Sequence, residues 1–315
     1  MPQVSYSKSK NKTPIQNAII STLAFFSLLK IPIDRERLFT LLYKTGANKQ
    51  QVNNQLSELI EAGEVTERGG LLGVFEWNQP ELSSSHVEAR NKWKKIRKYF
   101  WILSLIPFIK HISVINSLAL GNANLESDID FFVVTKSNRL YFVRSIIIIV
   151  FKLLGVYKNQ STVKDRFCFG FYVTSHHADL SRVLIKPEDP LFAFWFASFN
   201  PILSKEGYLD LVAQNGWIKN YFPNFDPQNN LQTIIKPKRF VSAIKKLSEV
   251  IDTPFAIVLE PVARWVHIRH TFKLPENHWP TAKTVADKDM LKLHALDPRE
   301  EFQKKFSELL KDLKN

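Results

Sequence analysis

Apolar positions in the first quarter of the chain recur at helical spacing in three short segments. The first predicted helix is Ile15–Leu29, and Pro14 stands at its favoured first-turn position. Asp34 and Asn48 are placed to cap the N-termini of the next two helices. Two short strands that flank Arg68-Gly69-Gly70 then predict a β-hairpin.

Three helices followed by a hairpin resemble a winged helix-turn-helix, which implies a winged-helix-like domain over residues 1–80. This fold binds DNA in some proteins and serves as a dimerisation or docking module in others. The third predicted helix carries one base, Lys49, among amides and the acids Glu58 and Glu61. A major-groove reader normally brings several Arg or Lys side chains to the phosphates. We therefore expect a structural or interaction role ahead of sequence-specific DNA binding.

The middle of the chain carries two carboxylates within the pattern of an apolar strand. Asp128 and Asp130 alternate with Ile129 and Phe131, and the apolar run continues to Val134. Alternate side chains of a β-strand point to the same face, so the two Asp side chains are expected side by side. Neighbouring carboxylates repel each other, and a divalent cation between them relieves the repulsion. The pattern therefore predicts a Mg²⁺ site suited to phosphoryl or nucleotidyl transfer.

A second predicted strand, Ile112–Leu120, runs into a small-residue turn at Asn116-Ser117, and Ser117 precedes Asp128 by 11 positions. A hydroxyl on such a turn can bind a triphosphate together with neighbouring backbone N–H groups. Strand, turn and Asp-x-Asp together resemble the DNA polymerase β-like nucleotidyltransferase superfamily. The superfamily has Gly-Ser or Gly-Gly at the turn, whereas this chain has Asn at position 116. Asn adopts a positive φ less freely than Gly does. Gly121-Asn122 is a second candidate turn, closer to Asp128.

The resemblance implies roles for particular residues of this chain. Asp128 and Asp130 would hold Mg²⁺ and act in catalysis, and Asn116 and Ser117 would bind the nucleoside triphosphate. Most of the catalysis would consist of positioning and of charge neutralisation by the metal.

The neighbouring sequence offers candidates for two further parts of such a site, the phosphate-binding cations and a third carboxylate. Arg139 and Arg144 follow the Asp-x-Asp strand, and their guanidinium groups match phosphate geometry, so they are candidate nucleotide-binding residues. The superfamily usually places a third carboxylate on a later strand, and the predicted strand Arg166–Thr174 contains none. Asp165, just before that strand, is preferred as the third catalytic acid over Asp179, just after it.

The segments on either side of this region are predicted to be helical. The helix before it carries a dense basic run that consists of Arg90, Lys92, Lys94, Lys95, Arg97 and Lys98. Such a run, interleaved with aromatic residues, is either a rail for a polyphosphate backbone or a solvated helix face. Five helices are predicted in the C-terminal part: Pro190–Ile202, Lys205–Phe222, Pro237–Ile251, Pro254–Phe272 and Pro298–Leu313.

These patterns predict an α+β protein in three parts. The winged-helix-like domain is followed by a nucleotidyltransferase domain at 81–185, with a small mixed sheet and flanking helices, and by a helical C-terminal domain at 186–315. The chain has 315 residues, of which 45% are hydrophobic, enough for a sizeable core. The single cysteine, Cys168, excludes a disulfide framework and a Cys-based zinc site, fits a cytoplasmic setting, and is expected to be a buried inert thiol.

The net charge of +13 favours a polyanionic partner, with plain solubility as the alternative explanation. Apolar runs are too short to span a bilayer, so no integral membrane segment is expected.

The sequence leaves three functions open. The first is a Mg²⁺-dependent nucleotidyltransferase that moves NMP from an NTP to a hydroxyl of an acceptor, a nucleic acid or a protein among the candidates. The second is a non-catalytic DNA- or partner-binding regulator on a degenerate transferase scaffold. The third is a membrane-surface protein that uses basic and apolar helices.

Overall fold

The computed structural model describes residues 12–159, 161–274, 283–293 and 297–314. The protein is of mixed α and β structure with two separate sheets. The helices are α1 Pro14–Leu28, α2 Arg35–Thr40, α3 Lys49–Glu61, α4 Gln79–Leu105, α5 Asn116–Leu120, α6 Leu140–Leu153, α7 Pro190–Ala197, α8 Lys205–Gln214, α9 Ile218–Tyr221, α10 Arg239–Lys273 and α11 Arg299–Lys314. The strands are β1 Ile33–Asp34, β2 Thr66–Arg68, β3 Leu71–Gly73, β4 Ile109–Ile115, β5 Ile129–Thr135, β6 Phe167–Thr174, β7 Asn200–Leu203, β8 Val285–Ala286 and β9 Met290–Lys292.

The N-terminal elements follow the predicted order. Asp34 and Asn48 accept hydrogen bonds from backbone N–H groups of α2 and α3, which confirms both as N-caps. The hairpin β2–β3 is also confirmed, and β1 adds an antiparallel strand to it, giving a three-stranded sheet in the order β1-β3-β2. Residues 1–11 of the first predicted domain lie outside the described residues.

The larger sheet has six strands in the order β7-β4-β5-β6-β9-β8. Strands β5 and β6 are parallel, and the other neighbouring pairs are antiparallel, so the sheet is mixed, as predicted. The pair β5–β6 lies near the middle of the sheet, and both strands are buried throughout most of their length. Because β5 and β6 pair directly, their register fixes the position of Asp130 relative to Cys168.

Two hydrophobic cores cover the two faces of this sheet. Along β5 the side chains alternate between them: Phe131 and Val133 pack with α4, α6 and α10, whereas Phe132 and Val134 pack with α1, α7 and α11. Strand alternation places Asp130 on the same face as Phe132. The Asp130 side chain therefore lies on the side of the sheet that α1, α7 and α11 cover.

Some C-terminal predictions are wrong in detail. The predicted helix Pro190–Ile202 ends at Ala197, and Asn200–Leu203 forms β7. Pro201 biases Asn200 away from the helical region, and β7 is an edge strand, where a proline is tolerated. The predicted helix Lys205–Phe222 is interrupted as well.

That interruption has a tertiary cause. The side chain of Asn215 exchanges hydrogen bonds with the backbone of Ala178 and Leu180, which holds the chain between α8 and α9.

The two helices predicted on either side of Pro254 are instead one continuous helix, α10, with Pro254 and Pro261 inside it. Both prolines are exposed, so water can satisfy the carbonyl groups that lose a backbone partner.

Residues from all three predicted parts of the chain contribute to a shared core, and residues from the second and third parts contribute to the larger sheet. The core on the α7 side contains buried residues of α1, α2, α3 and α11 in one cluster. Strands β7, β8 and β9, which follow residue 185, complete the sheet that carries Asp130. Within the described ranges, no helix combines the length and apolar composition that crossing a bilayer requires.

Candidate metal and nucleotide site

The two carboxylates and a thiol converge at the N-terminal end of β5. One ligand atom each from Asp128, Asp130 and Cys168 lies within 4.8 Å of the others. The neighbouring side chains Ile129 and Phe131 are fully buried in the core on the other face of the sheet. The expectation that strand alternation brings the two Asp side chains together is therefore confirmed.

Cys168 joins the group because β6 runs parallel to β5. Asp130 pairs with Cys168 in the register of the two strands. Burial, followed by the charge of Asp130, holds the pKa of the Cys168 thiol well above its usual value, so the thiol stays protonated. The prediction that Cys168 is a buried inert thiol did not place it beside the two carboxylates. A signal was available, since Cys168 is flanked by Phe167 and Phe169 and so points away from their core.

The pair has an unbalanced electrostatic environment. Burial, and then the charge of Asp128, raises the pKa of Asp130 from 3.8 to about 6. The buried Oδ2 of Asp128 has no hydrogen bond of ordinary geometry, but it lies 2.6 Å from Lys158 Nζ in an ion pair. Burial acts to lower the pKa of Lys158, but its bond to Asp128 and the charges of Asp128 and Asp130 act to raise it, and the net shift is upward. Lys158, which the sequence did not single out, thus partly neutralises the two carboxylates.

Lys158 therefore competes with any cation for Asp128. Replacing it in Lys158→Gln is expected to make the thermal stabilisation by a divalent cation larger than in the wild type, because the two carboxylates then lack their counter-charge. Thermal unfolding with and without Mg²⁺ or Mn²⁺ measures this. Lys164→Gln is the matched control, since Lys164 pairs with Glu126 in the same loop region. Equal cation-dependent shifts in the Lys158 variant and the control would refute the competition.

Asn116 lies directly beside Asp130. It follows Ile115, whose register partner is Asp130, and it adopts a left-handed conformation with φ of 58°. Its side chain contacts the Asp130 carboxylate and lowers its pKa, while its Oδ1 accepts a 2.6 Å hydrogen bond from Trp195 Nε1. The position where the superfamily has Gly is thus a positive-φ position in this chain, and Asn occupies it. The second candidate turn also contains a positive-φ residue, Gly121, at the end of α5.

A cavity of about 320 Å³ adjoins this turn. Asn116 and Ser117 form part of its polar wall, and Phe192 and Trp195 form part of its apolar wall. Asn122 also lines the cavity, and its Oδ1 is buried without a hydrogen-bond partner. A cavity of this size, with mixed apolar and polar walls, suits a small ligand.

Two cations also line the cavity, and both are held by carboxylates. Lys292 Nζ lies 3.0 Å from Asp297 Oδ2, and Arg299 lies 2.6 Å from Asp189 Oδ2 and 2.7 Å from Asp297 Oδ2. These ion pairs are almost fully buried, so the cations are fixed in place rather than free to move. The sequence interpretation missed Lys292 and Arg299 because they lie far along the chain from the Asp-x-Asp strand.

The structure gives Asp165 a different position from the other predicted acids. Its Oδ1 lies 2.6 Å from Lys92 Nζ, and Lys92 is completely buried. Lys92 also donates to the carbonyl of Ser127 at 2.7 Å, the residue directly before Asp128. Asp165 is not part of the group formed by the ligand atoms of the other two Asp residues. Asp165 and Lys92 therefore anchor the loop that presents Asp128.

The other predicted residues are distributed around the sheet. Arg139 precedes α6 beyond the far end of β5 and lies over the ring of Phe108. Arg144 lies over the ring of Tyr172, which packs in the core on the other face of the sheet. The carboxylate of Asp179 binds the backbone and hydroxyl of Ser181. None of these three contacts brings a side chain to the carboxylate pair.

The basic run on α4 is exposed only in part. Its exposed members are Arg90, Lys94, Arg97 and Lys98. Lys92 is buried, and Lys95 is half-buried with its Nζ hydrogen-bonded to the carbonyl of Asp165. The predicted rail therefore lacks two of its six members.

Comparison with known proteins identifies no relative. No family model matches the chain, and neither curated proteins nor solved structures provide a match.

Proposed function

We propose that this protein is a Mg²⁺-dependent nucleotidyltransferase that moves NMP from an NTP to a hydroxyl group of an acceptor. The observation that carries the proposal is the convergence of Asp128 and Asp130 on one face of a central strand, next to a positive-φ turn and a ligand-sized cavity. The acceptor proposed is a nucleic acid or a protein.

The donor set fits Mg²⁺ through its two carboxylates. Burial and the charge of Asp128 raise the pKa of Asp130, and Asp128 Oδ2 already attracts the ammonium of Lys158, so positive charge is favoured at this place. Mg²⁺ prefers oxygen ligands and keeps several waters, so the protonated thiol of Cys168 would adjoin the ion rather than bind it. When bound, Mg²⁺ would neutralise the developing charge on the phosphates.

The residues of the chain would do the positioning. Asn116 orients Asp130, and the ion pair of Asp165 and Lys92 fixes the loop before Asp128. The Ser117 hydroxyl would contact the triphosphate, and the aromatic wall of the cavity at Trp195 would contact the base. The acceptor hydroxyl would then lose its proton to solvent water and attack the α-phosphorus, forming the new O–P bond as the bond to the leaving pyrophosphate breaks. Catalysis of this kind depends mainly on position and charge.

A thermal-shift screen of the four NTPs, each with Mg²⁺ and with a chelator, tests the proposal. At least one NTP is expected to stabilise the protein, and only when Mg²⁺ is present, because the triphosphate and the carboxylates share the ion. Stabilisation that persists in chelator, or none with any NTP, would contradict the proposal.

A second candidate is a non-catalytic regulator that binds DNA or a partner protein on a degenerate transferase scaffold. Two observations favour it: the third position beside the carboxylate pair is Cys168 rather than an acid, and Lys158 already neutralises Asp128. The same screen separates the two, since the regulator would give no Mg²⁺-dependent NTP shift.

A further inference from the structure

The long helix α10 presents a continuous apolar surface to solvent. Eight of its exposed apolar side chains recur every three or four residues, at Phe240, Ile244, Leu247, Ile251, Phe255, Val258, Val262 and Trp265, and others such as Val250 and Ile257 flank this row. This spacing places them on one face of the helix. Leu247 is 61% exposed and Val258 is 68% exposed, although a soluble surface usually shows such residues singly. A helix of 35 residues is about 50 Å long.

The opposite face of α10 attaches the helix to the rest of the molecule. Ala256 is buried in the core with α4 and α6, and Glu260 is buried and accepts hydrogen bonds from the backbone N–H groups of Tyr141 and Phe142. Glu249 accepts one from the backbone N–H of Phe108. The helix is therefore fixed in orientation by its polar and small residues, and its apolar row faces outward.

The charges on α10 are divided in the same way. The helix has three acidic residues, Glu249, Asp252 and Glu260, and all of them are buried or half-buried. Its four exposed charged side chains are all basic: Arg239, Lys246, Arg269 and Lys273. Arg269 lies over the ring of Trp265 at 4.7 Å, at the C-terminal end of the apolar row. The outward surface is thus apolar and positively charged, without an exposed acid on the helix.

We propose that α10 docks this protein on a membrane surface that contains anionic lipids. An apolar row with Phe and Trp, accompanied by Lys and Arg, is the composition of helices that lie in the plane of the interface. Anionic headgroups complement the four basic side chains, and the +13 net charge of the chain adds long-range attraction. Because the apolar row runs along the helix from Phe240 to Trp265, the contact is parallel to the surface. A second copy related by a twofold axis would bring like charges together, so it fits the charge distribution less well.

Vesicle sedimentation with the full chain tests this. The protein is expected to bind phosphatidylcholine vesicles that contain phosphatidylserine, about tenfold or more tightly than vesicles of phosphatidylcholine alone, with affinity falling as salt rises. Ile251→Glu with Val258→Glu is expected to reduce that binding about tenfold or more, because it places charge on the inserted face. The matched control, Val87→Glu with Val163→Glu, changes two exposed apolar residues outside α10 by the same charge and should bind as the wild type does.

Three results would overturn the proposal. The first is no binding to the anionic vesicles. The second is equal binding by the α10 variant and the control, with circular dichroism showing both folded. The third is a dimer in sedimentation velocity that the α10 variant abolishes, in a protein that does not bind vesicles, which would assign the surface to a second copy. The test does not depend on NTP binding, so its outcome is independent of the proposed enzymatic function.

Discussion

The variant Asp128→Asn with Asp130→Asn is expected to lose Mg²⁺-dependent NTP binding altogether while keeping its fold. Both proposed oxygen donors to the ion are replaced, whereas the buried strand around them is unchanged. Calorimetric titration of NTP with Mg²⁺ measures the loss. The control Asp210→Asn with Asp312→Asn makes the same charge change at two exposed positions and should bind as the wild type does.

The single variant Asp130→Asn, which keeps the ion pair of Asp128 with Lys158, is expected to stabilise the metal-free protein. The rise in the pKa of Asp130 from 3.8 to about 6 corresponds to at most about 3 kcal/mol of destabilisation when the group is ionised. The native state holds this proton more tightly than the unfolded state, so wild-type stability falls as pH rises from about 4 to about 6. The gain in the free energy of unfolding for Asp130→Asn should therefore be near zero below pH 4 and complete above pH 6. A gain that does not change with pH, measured by urea unfolding in chelator, would contradict the electrostatic cause.

The variant Asp165→Asn is expected to lower the free energy of unfolding by about 2–4 kcal/mol, because it leaves the completely buried ammonium of Lys92 without a counter-charge. The value lies toward the low end of buried pairs, since the Asp165 side chain is 39% exposed. Urea unfolding measures the change. The double variant Lys92→Met with Asp165→Asn should recover part of it, as a double-mutant cycle would show.

This variant also distinguishes the two roles considered for Asp165. If Asp165 only anchors the loop, the folded Asp165→Asn variant binds NTP in the presence of Mg²⁺ within a few-fold of the wild-type affinity. As the third metal-binding acid, it would eliminate that binding under conditions where the variant is fully folded. The second result would restore Asp165 to the catalytic group and contradict the positioning role.

Local patterns in the sequence predict much of this fold. The N-caps Asp34 and Asn48 and the alternation around Asp128 and Asp130 depend on residues within a few positions of each other, and the structure contains all of them. Errors arise where distant contacts decide: Asn200–Leu203 becomes a strand because β4 offers an edge, and α10 continues through Pro254 because that residue faces solvent.

The candidate site shows the same division. Its carboxylates and turn are close in sequence, whereas Cys168 enters through the register of a parallel pair and Lys158 through a loop outside any motif. The register of two strands depends on how both faces of the sheet pack. The apolar pattern of one strand alone does not reveal it. The burial of Lys92 and Lys292 is not predictable from local sequence for a related reason: a basic residue is normally exposed unless a carboxylate, often distant in sequence, pairs with it.

Crystals of the protein grown with Mn²⁺ and a non-hydrolysable NTP analogue provide the most direct test of the proposed function. Mn²⁺ takes the same oxygen ligands as Mg²⁺ and gives an anomalous signal that locates it without ambiguity. We expect an anomalous peak in contact with carboxylate oxygens of both Asp128 and Asp130, with the triphosphate at Asn116-Ser117. A structure that holds the analogue elsewhere, or in which Lys158 keeps its ion pair with Asp128 and no peak lies at the carboxylates, would contradict the account.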